Sequence, residues 1–182
     1  MTLFRKEFRF CGSGGQGLIL SGIIMAKAAV KEGYKVAQSQ SFGPESRGGS
    51  SRADVIISNN EIYFPEATNF DYLIALTQEA ADKYLYDIKE KGVLLIDTGL
   101  VKNLGMTVNN VVEASFTEIA IEKLGSALPM NIVALSCITK LSQIISDQYL
   151  EEAIKDSLKP SLHELNLKAM QLGFEIAKQY MV

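Results

Sequence analysis

Three glycines near the start of the chain have the spacing of a phosphate-binding turn. Gly12, Gly14 and Gly17 satisfy the pattern G-x-G-x-x-G, and Gly15 and Gln16 lie between them. Glycine permits a tight turn, and the N–H groups at the start of a following helix carry a partial positive charge that favours a phosphate or carboxylate. These five residues are therefore the first candidates for contact with an anionic cofactor or substrate.

A nicotinamide or flavin dinucleotide site needs one further residue, which this sequence does not supply. Such sites place an Asp or Glu about 20 residues after the glycines, at the end of the second strand, to bind a ribose hydroxyl. Ala37, Gln38 and Ser39 occupy that place, and Glu45, the nearest acid downstream, belongs to a loop. Three interpretations stay open: dinucleotide binding, binding of another anion or phosphate, and a tight turn with only a structural role.

A second glycine-rich loop follows at 42–49 and reads FGPESRGG. Its candidate binding residues are Pro44, Glu45, Arg47, Gly48 and Gly49. Arg47 is the one cation in this loop, and a planar guanidinium suits a carboxylate or phosphate. The alternative is a loop with an exposed arginine and no ligand. Both loops are expected at the carboxyl edge of the sheet, where open α/β sheets bind ligands.

The elements that position these loops follow from the spacing of apolar residues. Residues 4–10 alternate apolar and charged side chains, which predicts a first strand ending at Cys11. The nearly all-apolar stretch 18–30 predicts a helix that is buried on most sides. A second strand is predicted at 34–42, reached by a right-handed crossover. This unit is typical of the opening of a parallel sheet.

The middle of the chain continues the alternation of strands and helices. Segments 51–58 and 61–64 predict a hairpin insertion. The short apolar runs 72–76 and 93–96 predict buried parallel strands, and a helix capped by Thr77 and running to about Lys89 fits between them.

A further strand is predicted at 107–112, followed by a helix that begins with a capping box of Ser115 and Glu118. In the last third, Asn131 and Asp147 are each predicted to cap a helix, and Pro160 suits the first turn of the last helix. The last helix carries one apolar stripe, predicted to face the core: Leu162, Leu165, Ala169, Leu172 and Ile176. The pattern predicts a single Rossmann-like three-layer α/β domain over 1–182, with a mostly parallel sheet, a hairpin insertion and a helical C-terminus.

Composition excludes several classes of function. The net charge is −3, without the clustered Lys and Arg that nucleic acid or an anionic membrane would require. The start lacks the features of a signal peptide, and no apolar run reaches the roughly 18 residues of a membrane span, so a cytoplasmic location is expected. Cys11 and Cys137 form no CxxC or Cys/His cluster, so this chain alone is not expected to hold zinc or an iron–sulfur cluster.

Two titratable residues outside the loops have more than one interpretation. His163 falls on the last helix, away from both loops, and is expected to be a surface or partly buried helix residue. Asp97 ends a strand, where it can contact a ligand, cap a helix or form a turn.

The two loops together resemble a known family. The motif CGSGGQG, followed further along by SFGPESRGGSSRADVIIS, is similar to the gamma-type domain of pyruvate and 2-oxoacid ferredoxin oxidoreductases. The likeness runs from Phe8 through Thr98 and continues more loosely into the C-terminal helices. The second motif, G-P-x-x-R-G-G followed by a strand, is the more diagnostic. Within the family, the chain most resembles the gamma subunits of 2-oxoglutarate:acceptor oxidoreductases.

The resemblance implies oxidative decarboxylation of a 2-oxoacid, with coenzyme A as a substrate and an acyl-CoA as a product. It places thiamine diphosphate, Mg²⁺ and iron–sulfur clusters on partner subunits, so that no cofactor is bound by this chain alone. The implied partners are alpha, beta and ferredoxin-like delta subunits, with ferredoxin or a similar protein as electron acceptor. In isolation the chain could also form a homodimer through the surface normally given to partners.

By the same resemblance, a domain of this kind lies against the thiamine site and near the path of coenzyme A, and the two loops hold the positions of the family's loops. No residue of either loop thereby gains a proton-transfer role, since neither contains His, Cys or Lys. Two other functions stay open from the residues themselves. One is an autonomous NAD(P) or FAD oxidoreductase of the Rossmann type, and the other is a small module that binds coenzyme A or a nucleotide.

Overall fold

The computed structural model describes residues 3–41 and 50–181. Within these ranges, six strands form one sheet in the order β2-β3-β1-β4-β5-β6. The strands are β1 (Arg5–Ser13), β2 (Lys35–Ser41), β3 (Ser50–Ser58), β4 (Phe70–Ala75), β5 (Ile88–Asp97) and β6 (Asn110–Ala114). The α-helices are α1 (Leu18–Lys31), α2 (Gln78–Tyr84), α3 (Phe116–Leu124), α4 (Met130–Ser142), α5 (Asp147–Ser157) and α6 (His163–Lys178).

The sheet is mixed. Strands β1, β4, β5 and β6 are parallel neighbours, as a chain of alternating strands and helices predicts. Strand β3 runs antiparallel to both β1 and β2 and lies between them. The first strand and the second are therefore parallel in direction, but they do not pair with each other.

The hairpin of the sheet is formed by β2 and β3, and the prediction that 51–58 pairs with a return strand at 61–64 is wrong. Strand β3 pairs with β1 on one side and with β2 on the other, and most of its residues are buried. The side chain of Asn59 accepts a hydrogen bond from the N–H of Phe4 at 3.0 Å, which turns the chain back along the start of β1. The guanidinium of Arg5 then donates to the carbonyl oxygens of Phe64 and Glu66.

Helices cover both faces of the sheet, which confirms the predicted three-layer α/β class. Phe8 and Phe10 of β1 point into a large core shared with α1, α3, α4, α5 and α6. Cys11 points the other way, into a smaller core with Ala80 and Tyr84 of α2. Successive side chains of β1 are therefore buried on opposite faces of the sheet. No helix in the described ranges is both long enough and apolar enough to span a membrane.

Helix α2 begins as predicted, and its end differs. The hydroxyl of Thr77 accepts a hydrogen bond from the N–H of Ala80 at 3.3 Å, which confirms the predicted cap. The helix was expected to continue to about Lys89, yet it ends at Tyr84 and is followed by a short 3-10 turn at Leu85–Asp87. Strand β5 starts at once afterwards, because Ile88 pairs with Phe70 of β4.

The C-terminal third is helical, as predicted, but its caps and its buried face differ in detail. Asp147 is the first residue of α5, after the cap residue Ser146, and Pro160 begins a 3-10 turn ahead of α6. Leu162, which the predicted stripe includes, is exposed. The buried residues of α6 are Asn166, Ala169, Met170, Gly173, Phe174, Ile176 and Ala177. The helix is rotated so that Gly173 faces α4.

Gly173 lies where α6 approaches α4 most closely. A Cβ at this position would lie 2.8 Å from the Cβ of Ser136 and 2.9 Å from the N atom of Cys137, and nearer still to the carbonyl oxygen of Val133. We expect Gly173→Ala to lower the free energy of unfolding by about 1–3 kcal/mol through overpacking, measured by urea denaturation. Gly105→Ala is the control, since its added methyl meets only the Tyr86 hydroxyl at 3.6 Å. Equal effects of the two changes would contradict this account of the helix contact.

Candidate functional site

The glycine motif forms one turn that joins the end of β1 to the start of α1. Gly15 and Gly17 adopt φ values of 91° and 75°, which favour glycine over any other residue. Gly17 is the residue immediately before α1, and its carbonyl oxygen accepts the N–H of Ser21 at 2.9 Å. The structure thus brings Gly12, Gly14, Gly15, Gln16 and Gly17 together in a tight turn at the carboxyl edge of the sheet.

The side chain of Gln16 folds back beneath this turn. Its Oε1 accepts the N–H of Ser13 at 2.8 Å, and its Nε2 donates to the carbonyl oxygen of Leu76 at 3.3 Å. Gln16 therefore ties the end of β1 to the end of β4. It occupies the space beside Gly12, where a Cβ would collide with Oε1. Since both polar atoms of its side-chain amide are hydrogen-bonded to the backbone, Gln16 stabilises the turn.

Two helix N-termini meet at the turn, and neither helix has an acid in its own first turn. The first turns of α1 and α4 contain no Asp or Glu, and neither helix has a side-chain cap. The side chain of Asn131, in the first turn of α4, donates to the carbonyl oxygen of Gly17 at 3.2 Å. The positive ends of the two helix dipoles therefore lie side by side, an arrangement that favours an anion. Asn131 was predicted to cap its own helix, and that prediction is wrong.

A cavity of about 340 Å³ opens beside the turn. Its lining residues are Gly15, Gln16, Leu100, Thr117, Ser126, Ala127, Leu128 and Met130. The lining combines two hydroxyl groups with apolar side chains, and Leu128 on its rim is 85% exposed. A larger cavity of about 490 Å³ lies between α1 and β2, remote from the turn and beside Lys27 and Lys31. We take the smaller one as the site because the glycine turn and the N-terminus of α4 both reach it.

Asp97 lies behind Thr117, which lines this cavity. It is fully buried, and its Oδ2 accepts hydrogen bonds from the N–H of Thr117 at 2.9 Å and from the Thr117 hydroxyl at 2.6 Å. Its Oδ1 accepts the N–H of Gly99 at 2.9 Å. Of its three interpretations, the structure assigns the cap and the turn to Asp97. The predicted capping box fails because the hydroxyl of Ser115 is shared with that of Thr98 at 2.9 Å and does not cap α3.

The second loop lies outside the described residues, and with it Pro44, Glu45, Arg47, Gly48 and Gly49. Its two flanks are described. Ser13, at the end of β1, pairs with Ser50, at the start of β3, and Ser41, at the end of β2, pairs with Arg52. Both flanks therefore lie at the edge of the sheet that carries the glycine turn.

A buried ion pair that no sequence pattern predicted holds β3 against β1. Arg9 donates from Nε to Oδ1 of Asp54 at 2.7 Å and from Nη2 to Oδ2 at 2.8 Å. The guanidinium lies between the rings of Phe70 and Tyr84, at 4.1 and 4.6 Å from their centroids. Burial opposes the charge, but the hydrogen bonds and the charge of Asp54 raise the pKa of Arg9 above its ordinary value. The pair fixes the register of the strand that the second loop enters.

Comparison with known proteins identifies the chain. Residues 7–176 match the pyruvate ferredoxin/flavodoxin oxidoreductase family. The chain belongs to this family. A 2-oxoglutarate synthase subunit KorC from Methanocaldococcus jannaschii is 44% identical over 178 residues, which cover 96% of this chain and 95% of the relative. Another subunit KorC, from Methanothermobacter thermautotrophicus, is 40% identical over 183 residues, covering 97% of each chain.

A solved structure has the same fold over almost the whole chain. The gamma subunit of a keto/oxoacid ferredoxin oxidoreductase from Geobacter sulfurreducens superposes with a TM-score of 0.89 at 43% identity, covering 97% of this chain and 98% of that chain. The family resemblance carried by the two glycine-rich loops is therefore confirmed.

The oxidoreductase family uses redox cofactors, and the described residues of this chain do not fit a metal or a cluster. No group of three His, Cys, Asp or Glu side chains within 3–41 and 50–181 is arranged to hold a metal ion. Cys11 and Cys137 lie in different cores, on opposite faces of the sheet. His163 is distant from the glycine turn and contacts the carbonyl oxygens of Lys155 and Leu158 at 3.0 Å, where it joins α5 to α6.

Both thiols are expected to be unreactive in the folded protein. Burial raises the pKa of Cys11 above its ordinary range and that of Cys137 to about 12, so little thiolate forms near neutral pH. At pH 8, Ellman's reagent should modify neither thiol in the native chain and both after unfolding in guanidinium chloride. Rapid modification of one thiol in the native chain would contradict the burial of that residue.

Proposed function

We propose that this chain is the gamma-type subunit of a multisubunit 2-oxoglutarate:ferredoxin oxidoreductase. The observation that carries the proposal is the match, over nearly the full length of both chains, to a 2-oxoglutarate synthase subunit. In the overall reaction, 2-oxoglutarate, coenzyme A and an oxidised acceptor give succinyl-CoA, CO₂ and two electrons on the acceptor. The enzyme is cytoplasmic, and the partner chains are alpha, beta and ferredoxin-like delta subunits. They hold thiamine diphosphate, Mg²⁺ and the iron–sulfur clusters, which supply the carbanion and electron-transfer chemistry.

The role of this chain is to bind and orient an anionic substrate group. Gly15 and Gly17 form a turn beside the N-terminus of α4, which has no side-chain cap. The first turns of α1 and α4 contain no Asp or Glu that would repel an anion. The phosphates of coenzyme A have the charge that such a site favours. The sequence of the second loop contains Arg47, a cation whose planar guanidinium suits such a group. The hydroxyl of Ser126 adds a neutral donor on the far side of the cavity.

The exposed apolar rim of the cavity supports a subunit more than an autonomous enzyme. Leu100 and Leu128 line the cavity and are both exposed. Apolar side chains grouped around a polar site are typical of a surface that a partner protein covers. The partner chain would then close the cavity and exclude water from it.

Affinity purification of the tagged chain from its native cells tests this proposal. We expect partner chains that bind thiamine diphosphate and iron–sulfur clusters to co-purify, and the eluate to reduce a viologen dye only when 2-oxoglutarate and coenzyme A are both present. The purified chain alone should be colourless and inactive. A yellow flavin spectrum or a response to NAD(P)H in the lone chain would favour an autonomous oxidoreductase. Binding of coenzyme A without any partner would favour a small binding module.

A further inference from the structure

A small polar cluster lies buried between α1 and α4, directly behind the glycine turn. Ser21 and Asn131 are only 1% and 5% exposed. Nδ2 of Asn131 donates to the carbonyl oxygen of Gly17 at 3.2 Å and lies 3.4 Å from the hydroxyl of Ser21. That hydroxyl also lies 3.2 Å from the Gly17 oxygen. Three donors therefore converge on one carbonyl group, because the N–H of Ser21 bonds to it as well.

The contact requires the amide at this position. The Gly17 oxygen is an acceptor, so the side chain that faces it must donate. A buried polar group is costly unless it is hydrogen-bonded, and Asn131 satisfies its Nδ2 on the turn, not on its own helix. The approach is tight, since a Cβ on Gly17 would lie 2.5 Å from Nδ2 of Asn131. The glycine and the asparagine therefore fit each other.

Fixing the Gly17 carbonyl also fixes the N–H group on the other side of the same peptide bond. The peptide is planar and trans, so the N–H of Leu18 points opposite to the C=O of Gly17. The carbonyl points back toward α1 and α4, where Ser21 and Asn131 hold it. The N–H of Leu18 therefore points away from these helices, toward the sheet edge. It is one of the first N–H groups of α1, which have no partner within the helix.

We propose that Asn131 is a positioning residue for substrate binding at the glycine turn. By holding the Gly17–Leu18 peptide plane, it presets the Leu18 N–H for a phosphate group of coenzyme A. The identity of that ligand rests on the proposed function above. A preset donor binds more tightly than a mobile one because less conformational freedom is lost on binding. Asn131 is itself too buried to touch the ligand, so its effect passes through the backbone of the turn.

The test compares two buried asparagines. Asn166 is 7% exposed and donates from Nδ2 to the carbonyl oxygen of Leu162 at 2.8 Å, but it lies on α6, away from the turn. Asn131→Ala and Asn166→Ala therefore remove the same type of bond at a similar depth. In the assembled enzyme, we expect Asn131→Ala to raise KM for coenzyme A about three- to tenfold, with kcat and KM for 2-oxoglutarate within about twofold of wild type. Asn166→Ala should leave all three constants within about twofold of wild type.

Ser21→Ala is a milder second variant, in case Asn131→Ala does not fold cooperatively. It removes the other side-chain donor to Gly17 and should raise KM for coenzyme A about two- to threefold. The inference is overturned if neither variant changes KM for coenzyme A, or if kcat and both KM values change together in Asn131→Ala. A wild-type complex that needs no coenzyme A would overturn the proposed function, and this inference with it.

Discussion

Replacing Asp54 with alanine is expected to lower the free energy of unfolding by about 3–5 kcal/mol, because Arg9 would lose its partner in a buried environment. The side chains of Arg9 and Asp54 are 4% and 5% exposed. The remaining partner, Asp87, contacts only Nη1 and is 43% exposed, so it cannot replace the bidentate contact. The aromatic rings of Phe70 and Tyr84 stack on the guanidinium but accept no charge-assisted hydrogen bond.

Urea denaturation of three variants tests this expectation. Asp87→Ala is the control, and its effect should stay within about 1 kcal/mol because that partner is solvated. The double variant Arg9→Met/Asp54→Leu removes both charges and should recover most of the stability lost in Asp54→Ala. The account fails if Asp54→Ala costs no more than Asp87→Ala, or if the double variant is as unstable as the single one.

Gly17→Ala should strongly destabilise the folded chain at the glycine turn. An L-residue at φ 75° is strained, and the new methyl would lie 2.5 Å from Nδ2 of Asn131. Left-handed strain costs about 1–2 kcal/mol and overpacking about 1–3 kcal/mol, so we expect a loss of about 2–5 kcal/mol in the free energy of unfolding. The assembled enzyme should also need more coenzyme A for half-maximal activity, since the turn must move.

Two other glycines allow the cost of backbone strain to be measured without a close contact to a neighbouring side chain. Gly33 has φ 96° and Gly15 has φ 91°, and a methyl on either lies within 4 Å of no atom in the part of the chain that the structure describes. Gly33→Ala and Gly15→Ala should therefore show only the strain cost of about 1–2 kcal/mol. Gly33 ends α1 on the far side from the turn, so its variant should keep the wild-type requirement for coenzyme A. Equal losses of stability in all three variants would show that Asn131 does not press on Gly17.

Local sequence patterns predicted the elements on either side of the site. The alternation along β1, the apolar run of α1 and the Thr77 cap each depend on neighbours within a few residues. The position of β3 does not. Whether 50–58 pairs with β1 or with a later segment depends on partners far along the chain, and the turn at Asn59 was equally consistent with a return strand. The glycine turn was thus correctly predicted, while the hairpin was assigned to the wrong partner.

The side chains that support the site were predicted less well because their hydrogen-bond partners lie far away in the sequence. Asn and Ser are preferred at the N-cap of a helix, so Asn131 and Ser115 were each predicted to bond to the first turn of their own helix, and neither does. In the structure, Asp97 supplies the cap of α3 from the end of β5, and Asn131 reaches the turn before α1. Opposite charges at Arg9 and Asp54 were visible in the sequence, but only their cross-strand register makes them a pair.

The most direct test of the central claim is an add-back titration. The partner subunits are purified without this chain, and the reduction of a viologen dye by 2-oxoglutarate and coenzyme A is measured as the chain is returned. Our account predicts little activity without the chain, no activity from the chain alone, and a rise that saturates at one chain per set of partner subunits. Full activity of the partners in its absence, or oxidation of 2-oxoglutarate by the chain alone, would contradict it.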